Sequence, residues 1–216
     1  MRLVVYVEGP SDRAAMQTLL QPLLRQKQQE GFRIDFFTLP PGHNKESLLQ
    51  KVPGKAANII LNDPNSRVVA LPDLYPANIN FPHTSCEELQ RGLITKFHHA
   101  LSQRRRDADD GLPDRFHVFC LKHDQESLLL AADEALKNAL GVRHLKASWR
   151  VPVEDQNFDR PPKRVISELF EMHGKNYVPT KDAPFVLSGA DYRQVAARCP
   201  QCFEPFVKFL ESLRQG

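Results

Sequence analysis

Acidic residues follow apolar runs at three places in this chain: Glu8 after Leu3 to Val7, Asp73 after Val68 to Leu71, and the His123-Asp124-Gln125-Glu126 cluster just past Phe116 to Leu121. A carboxylate at the end of a buried strand is costly unless something pairs with it or coordinates it. Converging carboxylate oxygens suit a hard cation such as magnesium, which takes one or two carboxylates together with water and substrate phosphate. A cation held in this way neutralises charge developing on phosphate and activates water. Glu8, Asp73, Asp124 and Glu126 are therefore the candidate metal ligands for Mg2+, with Mn2+ as a substitute. Glu8, Asp73, Glu126 and His123 are the candidate catalytic groups, Glu8 as ligand or general base and His123 orienting a carboxylate or donating to a phosphate oxygen. Lys163 and Arg164 are the substrate-binding candidates, Arg as a bidentate clamp and Lys as a point charge. The same acids also have plainer uses. Asp12 and Glu126 open helical stretches, where they complement the helix dipole, and Asp73 precedes a Tyr75-Pro76 turn.

These residues need a scaffold that brings strand ends together. Leu3 to Val7 is a continuous, β-branched apolar run, the pattern of a central strand covered on both faces in a parallel sheet. Gly9-Pro10 breaks it, and a helical apolar stripe follows from Ala14 to Leu24. Phe32 to Leu39 reads as a second strand closed by Pro40-Pro41-Gly42, and a polar helical stretch then runs until Pro53-Gly54 breaks it. Val68 to Leu71 and Phe116 to Leu121 are further strands. Glu87 to Gln103 and Glu126 to Leu140 are helices with apolar residues at helical spacing. This alternation predicts an α/β layered domain with a mainly parallel sheet, whose ligands collect beyond the carboxyl ends of the strands. After residue 150 the texture becomes proline-spotted, with short helices expected at 162–173, 189–198 and 201–214. The expected organisation is thus an α/β core over 1–150 and a helical C-terminal appendage over 151–216, packed on that core.

A chain of 216 residues with 41% apolar content can bury a real core, and a net charge of +3 permits nucleic-acid contact without demanding it. The first apolar run is too short for a membrane span or secretory signal, so a cytoplasmic protein without membrane contact is expected. Cys86, Cys120, Cys199 and Cys202 do not form a disulfide-framework pattern, and reduced thiols are the expectation. The Cys199–Cys202 pair lacks the further ligands zinc needs and should pack beside Phe203 and Phe206. Arg104-Arg105-Arg106 followed by Asp107 to Asp110 reads as a solvated, self-compensating loop. No G-x-x-x-x-G-K loop or Gly-x-Ser-x-Gly elbow is present, so neither nucleotide hydrolysis by a phosphate loop nor a serine elbow is indicated.

Val7-Glu8-Gly9-Pro10-Ser11-Asp12 resembles the first motif of Toprim domains, in which a strand delivers a glutamate into a glycine turn. Asp73-Leu74-Tyr75-Pro76, His123 to Leu129, Pro161-Pro162-Lys163-Arg164 and Cys199-Pro200-Gln201-Cys202-Phe203 resemble, in order, the blocks of a bacterial Toprim-like family of unknown function (DUF4276). The resemblance covers nearly the whole chain. Toprim domains of topoisomerases, primases and overcoming-lysogenization-defect nucleases bind magnesium through a glutamate and an Asp-x-Asp pair, which implies Glu8 and Asp73 here. It further implies a Mg-dependent nuclease or nuclease-like subunit acting on nucleic acid, with an ATPase partner in phage or plasmid defence. Three departures bear on this, the first being Asp124 in the second position of a His-Glu-x-Glu block, which keeps the charge but shortens the reach by one methylene. Tyr75 replaces the second aspartate, so Asp124 or Glu126 would have to substitute, and Pro162 stands where the family places a serine. The competing expectation is a degenerate Toprim scaffold that only binds a partner protein; a third is a nucleotide-signal binder using Lys163 and Arg164. Substrate sugar, partner identity and oligomeric state are left open.

Overall fold

In the computed structural model, residues 1–40, 45–75, 81–104, 112–156 and 159–214 are described. The turn residues Pro41-Gly42, Pro76 and the charged run 105–110 lie outside them. The described chain divides into two compact units.

The first unit comprises 1–9, 24–120 and 214–216. Its sheet has four strands, β1 (Arg2–Val7), β2 (Arg33–Phe37), β3 (Ser66–Leu71) and β4 (Phe116–Val118), in the order β2-β1-β3-β4. Every pairing is parallel. The expected central place of β1 follows from its composition: Leu3, Val4, Val5 and Val7 are each at most 2% exposed, and a strand buried on both faces needs neighbours on both edges. Two helices of this unit, α3 (Lys45–Asn62) and α4 (Cys86–Ser102), pack against each other; α3 lies against β1 and β3, and α4 against β4.

Helix α3 runs straight through Pro53, where the sequence suggested a break. Pro53 forfeits one backbone hydrogen bond, but Leu48, Leu49, Val52, Ala56, Ala57 and Ile60 form a stripe at helical spacing that is at most 1% exposed. Burying several such side chains at about 1.5–3 kcal/mol each outweighs the roughly 3 kcal/mol proline penalty. Ser85 caps α4, its side chain accepting from the Glu88 N–H at 3.2 Å. Cys86 and Cys120, expected as reduced thiols, are brought side by side with Cα atoms 6.4 Å apart, within the span a disulfide bridges. Their separation of 34 residues gives no sequence cue, since only the packing of α4 along β4 brings them together.

The second unit comprises 10–23 and 121–213 and is helical. It contains α1 (Pro10–Leu19), α5 (Glu126–Ala131), α6 (Asp133–Leu140), α7 (Pro162–Glu171), α8 (Pro179–Leu187), α9 (Tyr192–Arg198) and α10 (Phe203–Ser212). The remaining helix, α2 (Gln21–Gln29), spans the residues where one unit gives way to the other. The expected single helix over 14–24 is therefore two: Pro22 cannot donate to the turn before it and fits only in the first turn of a new helix. The expected helix over 126–140 is likewise split at Ala132, whose backbone (φ −92°, ψ 46°) is not helical.

The units part at Cys120, whereas the change of texture in the sequence falls at residue 150. Helix α5 explains this. All six of its residues are buried, and it packs on α7, α8 and α9, so it belongs to the helical unit despite following a strand. Cys199 and Cys202 are buried in this unit, Cys202 immediately before Phe203 of α10. Glu154 fixes the start of α10 by accepting from the backbone N–H groups of Gln201, Cys202 and Phe203 at 2.6, 2.8 and 3.3 Å.

Candidate functional site

In the sheet unit, the β1–β3 register pairs Val7 with Leu71. Glu8, one residue past β1, and Asp73, two residues past β3, consequently leave the sheet side by side at its carboxyl edge. The Asp73 backbone N–H donates to Glu8 Oε1 at 3.0 Å. Both side chains are half-buried. Lys45, the first residue of α3, is only 8% exposed, and its ammonium donates to the Leu74 carbonyl at 2.9 Å. Burial pushes the Lys45 pKa down, while the charges of Glu8 and Asp73 oppose that shift. The buried ring of His83 faces the same Leu74 carbonyl through Nε2 at 2.9 Å and the Phe81 carbonyl through Nδ1 at 2.8 Å. The segment after β3 is thus held from two sides. Tyr75, where a second aspartate was expected to be needed, turns its hydroxyl to the Thr84 carbonyl at 3.5 Å.

In the helical unit, Asp124 and Glu126 flank the start of α5. Burial, reinforced by the neighbouring Glu126 charge, pushes the Asp124 carboxyl up to about 7. Glu126, 3% exposed, is also raised by burial; the Lys163 charge and a 3.1 Å hydrogen bond from the Tyr177 hydroxyl work against that rise. The backbone N–H of Lys163, at the start of α7, donates to Asp124, while the Lys163 side chain is exposed. Asp124 Oδ1 and Gln125 Oε1 are buried oxygens without a hydrogen-bond partner among the described residues. A buried acceptor left bare costs about 1–3 kcal/mol, so oxygens of this kind fit a proton donor or a hard cation. His123 is buried apart from these acids: its ring, pushed below its ordinary pKa by burial and by Lys122, faces Asp155 and the Glu154 backbone. Arg164 donates from Nε to Glu168 at 2.9 Å, and Arg160 holds the same carboxylate, so the Arg164 fork is already partly used.

The structure brings the candidate residues together as two acidic pairs, Glu8 with Asp73 and Asp124 with Glu126, each within its own unit. Lys45 and Tyr177 escaped the sequence reading. Lys45 had a faint signal, as a basic residue opening the helix after a strand and turn. Tyr177 had none, since it reaches Glu126 across 51 residues from the link between α7 and α8.

These features define an α/β protein with a parallel sheet, carboxylates at its carboxyl edge, and a helical unit carrying a second buried acidic pair. The chain belongs to the family described as Domain of unknown function (DUF4276), whose model matches residues 7–211. Among solved structures it is similar to the C-terminal region of the Burkholderia pseudomallei OLD protein, with 16% identity, 97% of this chain and 98% of that chain covered, and a TM-score of 0.46. It is also similar to the C-terminal region of the Xanthomonas campestris pv. campestris OLD protein, with 12% identity, 97% and 96% coverage, and a TM-score of 0.45. No curated protein matches the chain. No helix among the described residues is long and apolar enough to cross a membrane.

Proposed function

We propose that this chain is a divalent-cation-dependent nuclease, or the nuclease-like subunit of a larger assembly, in which Glu8 and Asp73 hold Mg2+ or Mn2+ for phosphodiester hydrolysis. The carrying observation is the pair itself: two carboxylates delivered by adjacent parallel strands to the edge where α/β sheets bind ligands, with Glu8 oriented by the Asp73 N–H. The donors are hard oxygens, the kind magnesium takes. A divalent cation held there would neutralise charge developing on phosphate oxygens.

The chain's own groups set the stage for that. With Glu8 and Asp73 ionised and Lys45 protonated, the cluster carries one net negative charge. That is enough to attract a divalent cation, and the loaded site would then carry net positive charge toward a phosphate. Asp124 and Glu126, with the bare buried oxygens Asp124 Oδ1 and Gln125 Oε1 between them, form a second place for a cation, and Lys163 offers an exposed ammonium beside it. Arg164 is the weaker phosphate contact of the two because Glu168 engages it.

The test is calorimetric titration of Mg2+ and Mn2+ into wild type and into a Glu8→Gln, Asp73→Asn double variant, followed by cleavage assays on single- and double-stranded DNA and RNA. Binding and cleavage that vanish in the variant are the expected result. No binding to either protein would leave the scaffold reading, for which Lys45 as a built-in counter-charge is the supporting observation.

A further inference from the structure

The helical unit carries a basic, tryptophan-centred surface that neither acidic pair uses. Between Glu134 and Glu154 the sequence holds no acid but does hold Lys137, Arg143, His144, Lys146 and Arg150. Lys137 bonds Glu134. Arg143, His144, Lys146 and Arg150 are exposed on the irregular segment that links α6 to the turn at Val153. None of these four makes a salt bridge among the described residues. Asp155, which feels the Arg150 charge, is already bonded by Lys122 and Gln201.

Trp149, the one tryptophan of the chain, lies in this segment and lines a cavity of about 370 Å³ together with Ser148, Val151, Arg198 and Asp133. That volume falls in the range of roughly 300–1,000 Å³ typical of small-ligand sites. The residues on either side of Trp149 are tied down: Arg160 donates to the Ser148 carbonyl at 3.3 Å, and the Arg150 N–H donates to Gln156 Oε1 at 3.0 Å. Gln156 and Arg160 are joined in turn at 2.5 Å, and Arg160 is held by Glu168. The indole is thus presented by a braced segment. Across the cavity Arg198 donates from Nη1 to Asp133 Oδ1 at 2.5 Å and to the Ala131 carbonyl at 3.0 Å, so its Nε–Nη2 edge is available.

We propose that this surface binds single-stranded nucleic acid, with one base inserted beside Trp149 and the flanking phosphates on Arg143, Lys146 and Arg150. An indole offers a face for any base, and spaced cations track a backbone; together they make the usual means of holding a single strand without reading its sequence. Arg198 as donor and Asp133 as acceptor match the mixed hydrogen-bonding edge of a base, while their mutual bond neutralises a carboxylate that would otherwise repel phosphate. A stacked duplex keeps its bases inside and cannot fill the cavity. The surface binds without any cation at the acidic pairs, so it stands independently of the cleavage proposal.

The uniqueness of Trp149 makes the experiment direct. Intrinsic fluorescence is followed while a short oligothymidylate is titrated into the full chain in EDTA, where cleavage is blocked whatever the acidic pairs do. Quenching is expected, with a log–log salt slope near −2, from three phosphate contacts at about 0.7 each on a single strand. A labelled oligonucleotide read by anisotropy then compares variants. Trp149→Ala should bind roughly five- to a hundredfold more weakly, as expected for loss of one stacked base, and Trp149→Phe should keep most of the affinity. The exposed triple change Arg143→Glu, Lys146→Glu, Arg150→Glu should abolish binding with the melting temperature unchanged. No quenching, equal quenching by polyglutamate or by duplex DNA, or wild-type affinity in both Trp149→Ala and the triple variant would overturn the proposal.

Discussion

The two acidic pairs of this molecule solve the same electrostatic problem differently. Glu8 and Asp73 sit half-buried at a sheet edge with a buried lysine feeling both charges and a backbone N–H on one oxygen. Asp124 and Glu126 are deeper, have only the exposed Lys163 as a nearby cation among the described residues, and rise in pKa, Asp124 to about 7. The first pair is charge-compensated from within; the second is left wanting a proton or a cation. Depth alone does not make an acid reactive: what matters is whether the fold supplies the counter-charge, and here one unit does while the other does not.

Removing the internal counter-charge is the strongest way to break that contrast. Taking away one partner of a buried charge pair costs about 3–5 kcal/mol, and the partial exposure of Glu8 and Asp73 puts Lys45→Met at the lower end, near 3 kcal/mol. For a chain of this length that is a fall of roughly 6–12 °C in melting temperature. Adding Glu8→Gln and Asp73→Asn should recover much of the loss, because no uncompensated carboxylate remains. Added Mg2+ should raise the melting temperature of Lys45→Met more than that of wild type, making the first pair behave like the second. Melting curves of these proteins with EDTA and with Mg2+ decide it; a Lys45→Met protein as stable as wild type would show that the ammonium does not compensate the pair.

The contrast was only half visible in the sequence. Strand β1 was legible because five consecutive apolar residues ending in Glu8-Gly9 have one good solution, a buried central strand with its acid at the edge. That placed Glu8 and Asp73 correctly relative to each other once β3 was recognised. Helix α8 was missed because Pro179 and Pro184 mask its pattern, although Pro179 occupies the first turn, where a proline costs little. Lys45 and Tyr177 act across 29 and 51 residues, and partnerships of that range depend on tertiary packing that local periodicity does not encode. The division at Cys120 was hidden for a similar reason. A helix following a strand in sequence suggests a layered α/β unit, but α5 is buried all round and packs on α7, α8 and α9.

A smaller effect sharpens the other half of the contrast. The folded-state pKa of Asp124, about 7, lies above the ordinary 3.8, so the folded protein binds the proton more tightly than the unfolded chain does. The stability this contributes is fully present below about pH 4 and is lost as pH rises through about 7. Asp124→Asn imitates the neutral form at every pH. In EDTA its melting temperature should gain on that of wild type between pH 5 and pH 8, by the equivalent of about 2 kcal/mol, the carboxyls titrating as a pair with Glu126. Mg2+ should narrow the gap near pH 8 by stabilising wild type alone. Parallel melting temperatures across that range would mean that the second pair is compensated after all, and the distinction between the units would fall.

The finest probe is the Tyr177 hydroxyl, a neutral donor that reaches the second pair from far along the chain. Burial and the adjacent carboxylates push its own pKa far up, so it remains a donor throughout the accessible range. Tyr177→Phe keeps the ring packed on Phe170, whose centroid lies 5.1 Å away, and deletes only the hydrogen bond to Glu126. Losing such a bond costs about 1 kcal/mol when the acceptor is neutral and about 1.5–3 kcal/mol when it is charged. The loss should therefore grow with pH as Glu126 ionises, the opposite trend to Asp124→Asn, and melting curves in EDTA near pH 5 and pH 8 separate the two. A loss of the same size at both would mean that Glu126 keeps one protonation state throughout. The second pair would then hold at most one titrating carboxyl, and Asp124 alone would carry its demand for a cation.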